Sequence, residues 1–545
     1  MTGNARSEGP ARWIVALAIT AILLGVAFRT LDATHKIYYQ DEAITSVRVA
    51  GYTLAEYDRQ FDGTPHRFAD VQRLLRPAPR RGVSATVHSL AIEDPQHPPA
   101  FYVLESLWTR AVGSTPLPAR LLPILLSLVA LPLTYALAVE LFGSPSVGWL
   151  AAALLAVSPY FVLYAYQARE YGLLTVAIAL SSLLFLRARR LGGLARWAWY
   201  ALSVAFGMYT YLLFAFVVVA HAIAAVAGSY RRPASLAAFS ISVSCAILLF
   251  APWLHVVLLN RAAAGGDLGW ATSEYPLKFM VAKWGFFAGA TFFDLEYVAS
   301  RLTLVTLVVL AIVIAASVDV VRTQRGATVV FLAALAGATF FGLAIPDLLL
   351  HYRFSTIARY LTPTWLALVL IVAASIGQRR QSRVAKATIA FLLAAAVASN
   401  AVSSHMSSWW ENNGNKASPE LAAQLRAHPG LLVVSSADAA PLLDLAPLVA
   451  PDATWLGYRS GGSPPHSALT AAGRVYLLSP PDELRERLTH DPALTLRLVY
   501  DSHDFATNLT RFRSATRGQR AGTNDWGEVV LWSVEKRFAS ERVSE

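Results

Sequence analysis

Two adjacent carboxylates, Asp41 and Glu42, follow directly on Tyr38-Tyr39-Gln40, just past an apolar run from Trp13 to Phe28. A charge close to a bilayer is tolerated mainly where it faces water, protein or a ligand, so an acidic pair at this depth marks a candidate site. A carboxylate held there can take the proton from an attacking hydroxyl, which is worth about 10²–10⁴ in rate. On this reading Asp41 is a general base, and Glu42 orients it or binds the acceptor. The competing reading is local. Asp41 would N-cap the helix expected from Ala43 to Tyr57, and Glu42 would add favourable charge to its first turn.

The elements that must position this pair follow from composition. In 545 residues, 55% are apolar and 15% charged, with a mean hydropathy of +0.45. That is too oily for an ordinary soluble domain and describes a polytopic membrane protein. The net charge of +11 does not point to nucleic acid, because the arginines gather in short loops between apolar runs, where they set orientation in the membrane. The single cysteine, Cys245, lies within an apolar run and rules out an intramolecular disulfide. The first apolar run is expected to be a retained anchor rather than a cleaved signal, since no small-residue cleavage site separates it from Asp41.

A span needs about 20 apolar residues, which places about eleven spans between Trp13 and Val402, among them Val147–Tyr166, Trp197–Thr210 and Tyr211–Gly228. Pro98 to Val112 is left out. Its fifteen residues rise only about 22 Å as a helix and include Glu105 and Arg110, so an interfacial helix is expected. With that segment excluded, the basic loops around Arg187–Arg196, Arg231-Arg232, Arg322–Arg325 and Arg379–Lys386 all fall on one side, the cytoplasmic one. The opposite side receives the loop from Thr30 to Leu117, the turn Gln167-Ala168-Arg169-Glu170, the turn His351 to Tyr360 and the tail. Arg67 to Arg81 in the first loop is a basic stretch, either solvated or set against lipid phosphates.

Beyond Asn412-Asn-Gly-Asn415, strands are expected at Leu431–Ser436, Arg474–Leu478, Leu496–Tyr500 and Glu528–Val534, with helices at Pro419–Ala427 and Pro481–Leu488. The organisation is therefore mainly α: a transmembrane helical bundle over residues 1–410, whose first outer loop spans 30–117, and a small extracytoplasmic α/β domain over 411–545. Asn508-Leu-Thr510 is a glycosylation pattern at chance level.

Taken in order, Asp41-Glu42, His97-Pro-Pro-Ala-Phe-Tyr102, Pro159 to Leu173 and Arg359-Tyr-Leu-Thr-Pro363 resemble the GT-C glycosyltransferases. Within them the chain is most similar to the branch holding protein O-mannosyltransferases and the lipid A aminoarabinose transferase. The resemblance implies a polytopic GT-C bundle and a sugar donor carried on a polyprenyl phosphate. It also implies use of that donor outside the cytoplasm, at the cell membrane, on a protein, glycan or lipid acceptor, with inversion at the anomeric carbon. Gln96 stands where the aminoarabinose enzymes carry a glutamate, and His97 replaces a lysine, which argues against lipid A as acceptor.

A phosphate leaving group is already a weak base, so no general acid is required, unlike glycoside hydrolysis. The phosphate needs cations that stay charged in a low dielectric, and arginine does. Arg169, Arg353 and Arg359 are the candidates, with His97 as a hydrogen-bond donor. Gln96, Tyr102, Tyr171 and Tyr360 are candidate substrate-binding residues. Each has a plainer reading: His97 ends an extended segment before two prolines, Arg169 pairs locally with Glu170, and Arg353 and Arg359 anchor lipid headgroups. No cofactor is required. A divalent cation remains compatible, with Asp294 and Glu296 as weak ligand candidates beside Asp41.

Two other classes fit the composition. A lipid-linked sugar transporter or flippase would place ionisable groups near the midplane, whereas only His221 is central here, read as a helix–helix hydrogen bond. A membrane scaffold would make Asp41 dispensable. Within the enzyme class, an oligosaccharide ligase or a pentosyl (arabinose-type) transferase of cell-wall glycan is the alternative.

Overall fold

The structure is a computed structural model. It describes residues 10–227, 233–266, 275–295, 303–409, 417–436, 439–470, 473–501 and 529–536. The chain forms two compact units.

The first unit comprises Met1–His35, Val87–Trp108 and Leu117–His405, and it is helical. Eight of its helices are long and apolar enough to cross a membrane: Arg12–His35, Pro116–Phe142, Tyr171–Leu191, Pro233–Leu259, Leu304–Thr323, Gly326–Leu350, Ala358–Gln378 and Arg383–Ser404. The other three expected spans are shorter helices. Val147–Tyr166 is two helices, Pro145–Val157 and Pro159–Leu163, separated at Ser158. Leu194–Thr210 and Ala215–Val226 stand for the other two, joined by the 3-10 turn Leu212–Phe214. The segment read as interfacial is a helix over Ala100–Val112, and it is not among the long apolar helices.

The break at Ser158-Pro159 has a physical consequence. Proline cannot donate to the preceding turn, so carbonyls there need other partners, and inside a bilayer water cannot supply them. Arg29 donates to the carbonyls of Ala156 (2.6 Å) and Gly25 (2.9 Å) and to Ser127 Oγ (3.0 Å). Asn400 Nδ2 donates to the Val157 carbonyl at 2.7 Å. Ser158 Oγ donates to the Thr291 carbonyl at 2.6 Å and accepts the Phe161 N–H at 3.4 Å. Gly25 lets the first helix approach this break, since a Cβ there would collide with the Ala156 carbonyl.

His221, fully buried, lies between Ser182 Oγ and Tyr200 Oη at 3.1 Å each and stacks on Phe185. It is the inter-helix hydrogen bond expected of it. The acids at helix ends are also engaged: Glu140 accepts from Arg190 at 2.5 and 3.0 Å, and Asp319 pairs with Arg379 and accepts from Ser375 at 2.6 Å.

The second unit comprises Lys36–Thr86, Thr109–Pro116 and Met406–Glu545. It holds a six-stranded sheet made of β1 (Pro65–Arg67), β2 (Leu431–Ser435), β3 (Thr454–Tyr458), β4 (Val475–Leu478), β5 (Leu494–Asp501) and β6 (Val530–Lys536). The order is β1-β3-β2-β4-β6-β5. β3, β2 and β4 run parallel; β1, β6 and β5 pair antiparallel to their neighbours. Val433, Leu456, Val475, Leu477, Leu484 and Leu488 build its core.

β1 comes from the first loop. Pro65 to Arg67 pairs with Leu456 to Thr454, and Gly63 and Phe68 donate to the carbonyls of Gly457 (2.8 Å) and Ala453 (2.9 Å). The basic stretch expected to be solvated or lipid-bound is thus a sheet edge followed by the helix Phe68–Leu74. Its last arginine, Arg81, makes a two-pronged pair with Glu56, 2.7 Å on each side. That pairing lowers the Glu56 carboxyl to about 2. β3 and the helix Ala439–Leu445 were not anticipated from sequence.

Candidate active site

In the helical unit the candidate residues are built on three turns. The first turn is Asp94 to Pro99. Its backbone is closed by the His97 N–H donating to the Asp94 carbonyl (3.0 Å), and Trp253 Nε1 pins it by donating to the Pro95 carbonyl (3.1 Å). Pro98 and Pro99 hold the chain extended before the helix Ala100–Val112 begins. The second turn is Gln167 to Glu170, leading into the helix Tyr171–Leu191. Gly172 lets that helix start close to Pro116–Phe142, because a Cβ would lie 2.8 Å from the Pro123 carbonyl. The third is Arg353 to Leu361, two 3-10 turns. It is held by the Asp347 carboxylate, which accepts the N–H groups of Phe354 (2.9 Å) and Ser355 (2.6 Å). Trp365 Nε1 donates to the Ala358 carbonyl at 2.9 Å.

The first two turns meet through charge. His97 Nδ1 lies 3.0 Å from Glu170 Oε1, and Arg169 Nε lies 3.4 Å from Glu170 Oε2. Asp94 Oδ1 stands 3.9 Å from His97 Nε2 and accepts from Gln96 Nε2 at 2.5 Å. Burial works against the charge on His97, but Asp94 and Glu170 together raise its pKa above the ordinary 6.5. Burial likewise opposes ionisation of Glu170, yet Arg169 and then His97 hold its carboxyl down to about 2. Glu170 is therefore a fixed anion that keeps two cations in place. The local Arg169–Glu170 pair is real, and His97 extends it across to the first turn.

Tyrosines continue the cluster. Tyr102 sets its ring edge against His97, centroids 6.1 Å apart, and burial pushes its hydroxyl well above the ordinary range, so it stays a donor. The Arg169 guanidinium lies 5.9 Å from the Tyr171 ring, and that of Arg359 lies 5.7 Å from the Tyr360 ring. Tyr211 joins the two, its ring 6.5 Å from Tyr171 and 6.3 Å from Tyr360. Sequence reasoning passed over Tyr211 as the opening residue of a span. The signal for it was an aromatic residue at the junction of two apolar runs. Arg353 opens the turn whose Phe354 ring lies 6.3 Å from Tyr360.

Asp41 and Glu42 lie in the second unit, in the first turn of the helix Gln40–Ala50. The N-cap is Tyr39, not Asp41; fully buried Glu42 closes the cap by accepting the Tyr39 N–H at 3.1 Å. The expected Ala43–Tyr57 helix is interrupted at Gly51 and resumes over Leu54–Asp58. Helix Ala439–Leu445 packs on this helix and brings in Asp444, a buried carboxyl that sequence reasoning missed. Burial first, then Asp41 and Glu42, push Asp444 well above the usual carboxylate range. Asp294 is buried and its backbone N–H donates to Ser399 Oγ at 2.9 Å, and Glu296 lies outside the described residues. Among the described residues, no group of three or more His, Cys, Asp and Glu is arranged to hold a metal ion.

Residues 96–255 match the family model described as dolichyl-phosphate-mannose-protein mannosyltransferase. No curated protein matches the chain. Among solved structures, the chain is similar to ArnT from Cupriavidus metallidurans bound to undecaprenyl phosphate. The TM-score is 0.52 at 12% identity, covering 96% of this chain and 98% of that one. The archaeal oligosaccharyltransferase AglB from Archaeoglobus fulgidus, in complex with an inhibitory peptide and a dolichol-phosphate, is more distant. Its TM-score is 0.47 at 12% identity, over 81% of this chain and 65% of that one. The stretch matched by the family model contains His97, Tyr102, Arg169, Glu170, Tyr171 and Tyr211; this is a chain with several membrane-crossing helices that shares the fold of ArnT, and its residues 96–255 are similar to the dolichyl-phosphate-mannose-protein mannosyltransferase family.

Proposed function

We propose that the protein moves a sugar from a polyprenyl-phosphate donor to an extracytoplasmic acceptor, with inversion at the anomeric carbon. The observation that supports this best is the cationic, tyrosine-rich cluster of His97, Arg169, Tyr102 and Tyr171 inside the stretch similar to mannosyltransferases. A buried arginine and a histidine held by a fixed anion, with hydroxyl donors beside them, suit a phosphate monoanion or diester. That ArnT was solved with undecaprenyl phosphate bound agrees with this donor class. Arg359 with Tyr360 extends the phosphate site; Arg353 and Gln96 are assigned to its rim.

In the reaction, the acceptor oxygen bonds to the anomeric carbon as its proton passes to Asp41, and the carbon–oxygen bond to phosphate breaks. Polyprenyl phosphate departs without needing a proton. Glu42, whose carboxylate closes the cap of Asp41's own helix, holds Asp41 in place. We assign catalysis to residues 1–410 and an accessory role to the α/β tail over 411–545. The basic loops support an orientation with the site and the tail outside the cytoplasm. The reaction needs no cofactor, and a divalent cation near Asp41 would be an addition to this scheme.

The test uses purified protein in proteoliposomes with a labelled polyprenyl-phosphate mannose and an envelope extract as acceptor. Transfer predicts release of polyprenyl phosphate with label on the acceptor. Label moved between leaflets on intact lipid would instead establish flipping. Asp41→Asn is expected to lower turnover by about 10²–10⁴ with insertion and melting temperature retained. Undiminished turnover would remove Asp41 from the role.

A further inference from the structure

Tyr211 is the single residue in extended conformation between the helix Leu194–Thr210 and the turn Leu212–Phe214 (φ −159°, ψ 130°). Its N–H donates to the Gly207 carbonyl and its carbonyl accepts the Phe214 N–H, both at 3.0 Å, so the backbone is fully committed and the side chain is carried inward. Only 5% of the residue is exposed, and its ring bridges the Arg169–Tyr171 and Arg359–Tyr360 pairs. Yet the Tyr211 hydroxyl makes no hydrogen bond to any described residue.

A second hydroxyl tells the same story. Tyr102 is 1% exposed, and its Oη has no partner either, although it too lies within charge range of Arg169 and Glu170. A native fold rarely buries an unpartnered hydroxyl, and here the buried Tyr102 Oη by Arg169 and the unbonded Tyr211 hydroxyl by Arg359 flank one cluster. The surrounding charge gives a reason. A donor left open beside guanidinium groups is matched best by an acceptor-only, anionic oxygen, which also meets their charge.

We propose that Tyr211 is a ligand-binding residue whose hydroxyl donates to a non-bridging phosphate oxygen of the lipid donor, between Arg169 and Arg359. This rests on the donor class proposed above and adds to it a residue that fixes the phosphate in orientation as well as charge. The step involves no proton transfer: burial and neighbouring tyrosines keep the phenol a donor.

The experiment uses the full chain in nanodiscs and undecaprenyl phosphate as the probe, with binding followed by tryptophan fluorescence and stability by thermal melting. Tyr211→Phe removes only the oxygen. It is expected to weaken probe binding about tenfold or more, the range of a hydrogen bond to a charged acceptor. The melting temperature of the unliganded protein should be unchanged, since no hydrogen bond within the protein is lost. Tyr209→Phe is the counter-case: its hydroxyl donates to the Leu249 carbonyl at 3.1 Å, so melting should fall with affinity kept. Wild-type affinity in Tyr211→Phe, or affinity lost only alongside a lowered melting temperature, overturns the assignment to Tyr211 and leaves the donor class standing. Failure of the wild type itself to bind the probe overturns the donor class and Tyr211 with it.

Discussion

Among the side chains of the helical unit, Glu170 decides the most. It is 1% exposed, and breaking a buried pair by removing one partner costs about 3–5 kcal/mol because the remaining charge is left uncompensated. Glu170→Gln would do this to both Arg169 and His97, and the two titrations fix where in pH the loss is visible. Glu170 is depressed from 4.5 to about 2, so its contribution is complete above pH 4.5 and fades as pH falls toward 2. His97 is raised above 6.5, so its share is complete below 6.5 and is lost as pH climbs through its folded value. The melting-temperature gap between wild type and Glu170→Gln should therefore be widest near pH 5–6, narrowing on both flanks. A gap of constant size from pH 4.5 to 9 would mean that His97 does not share its proton equilibrium with Glu170. Asp41 and Glu42 stand out in sequence because two acids beside an apolar run are costly without a purpose, and for Glu42 the structure shows a helix cap at Tyr39. Asp444, one acid in an ordinary tail helix, carried no such mark.

At the scale of elements, the membrane helices were readable in sequence because a bilayer leaves backbone groups no partner but each other, which forces long apolar runs. The same rule explains what was not readable. The Ser158-Pro159 break leaves carbonyls that only distant residues satisfy, and neither Arg29 nor Asn400 announces in sequence which carbonyl it will meet. Asn400 is 3% exposed, and Asn400→Leu would keep the branching and the number of heavy atoms while leaving the Val157 carbonyl without its donor. We expect a loss of about 1–3 kcal/mol, read as a lower melting temperature. Faster amide exchange confined to the helix Pro159–Leu163 and the turn after it should accompany it. That turn carries Arg169 and Glu170, so the variant should also bind undecaprenyl phosphate more weakly. Normal exchange across 159–170 in a destabilised variant would show that the break is held by something other than Asn400.

Across the whole molecule, the unit that contains the tail is not built from the tail alone. β1 was missed because three residues, Pro65-His66-Arg67, are too few to show alternation, and β3 because Thr454-Trp-Leu-Gly-Tyr458 carries a glycine between turn-rich flanks. Their meeting is long-range: Trp455, fully buried, packs on Phe61 and His66 and donates to the Arg67 carbonyl at 3.3 Å. Gln72 reaches the carbonyls of Ala446 (2.8 Å) and Val449 (2.9 Å), and Tyr57 that of Ala439 (2.7 Å). Trp455→Ala should therefore cost this unit about 3–5 kcal/mol, the usual loss for a buried tryptophan, and loosen two distant stretches of chain together. Limited proteolysis of detergent-solubilised protein is the measurement. Cleavage should rise in parallel within 54–81 and 417–501, while the fragments holding the spans from Leu304 to Ser404 keep their size. Were the tail alone to become labile, the first loop would have to owe its structure to something other than the sheet. Were the loop alone to become labile, β1 would be an attachment that the tail can do without.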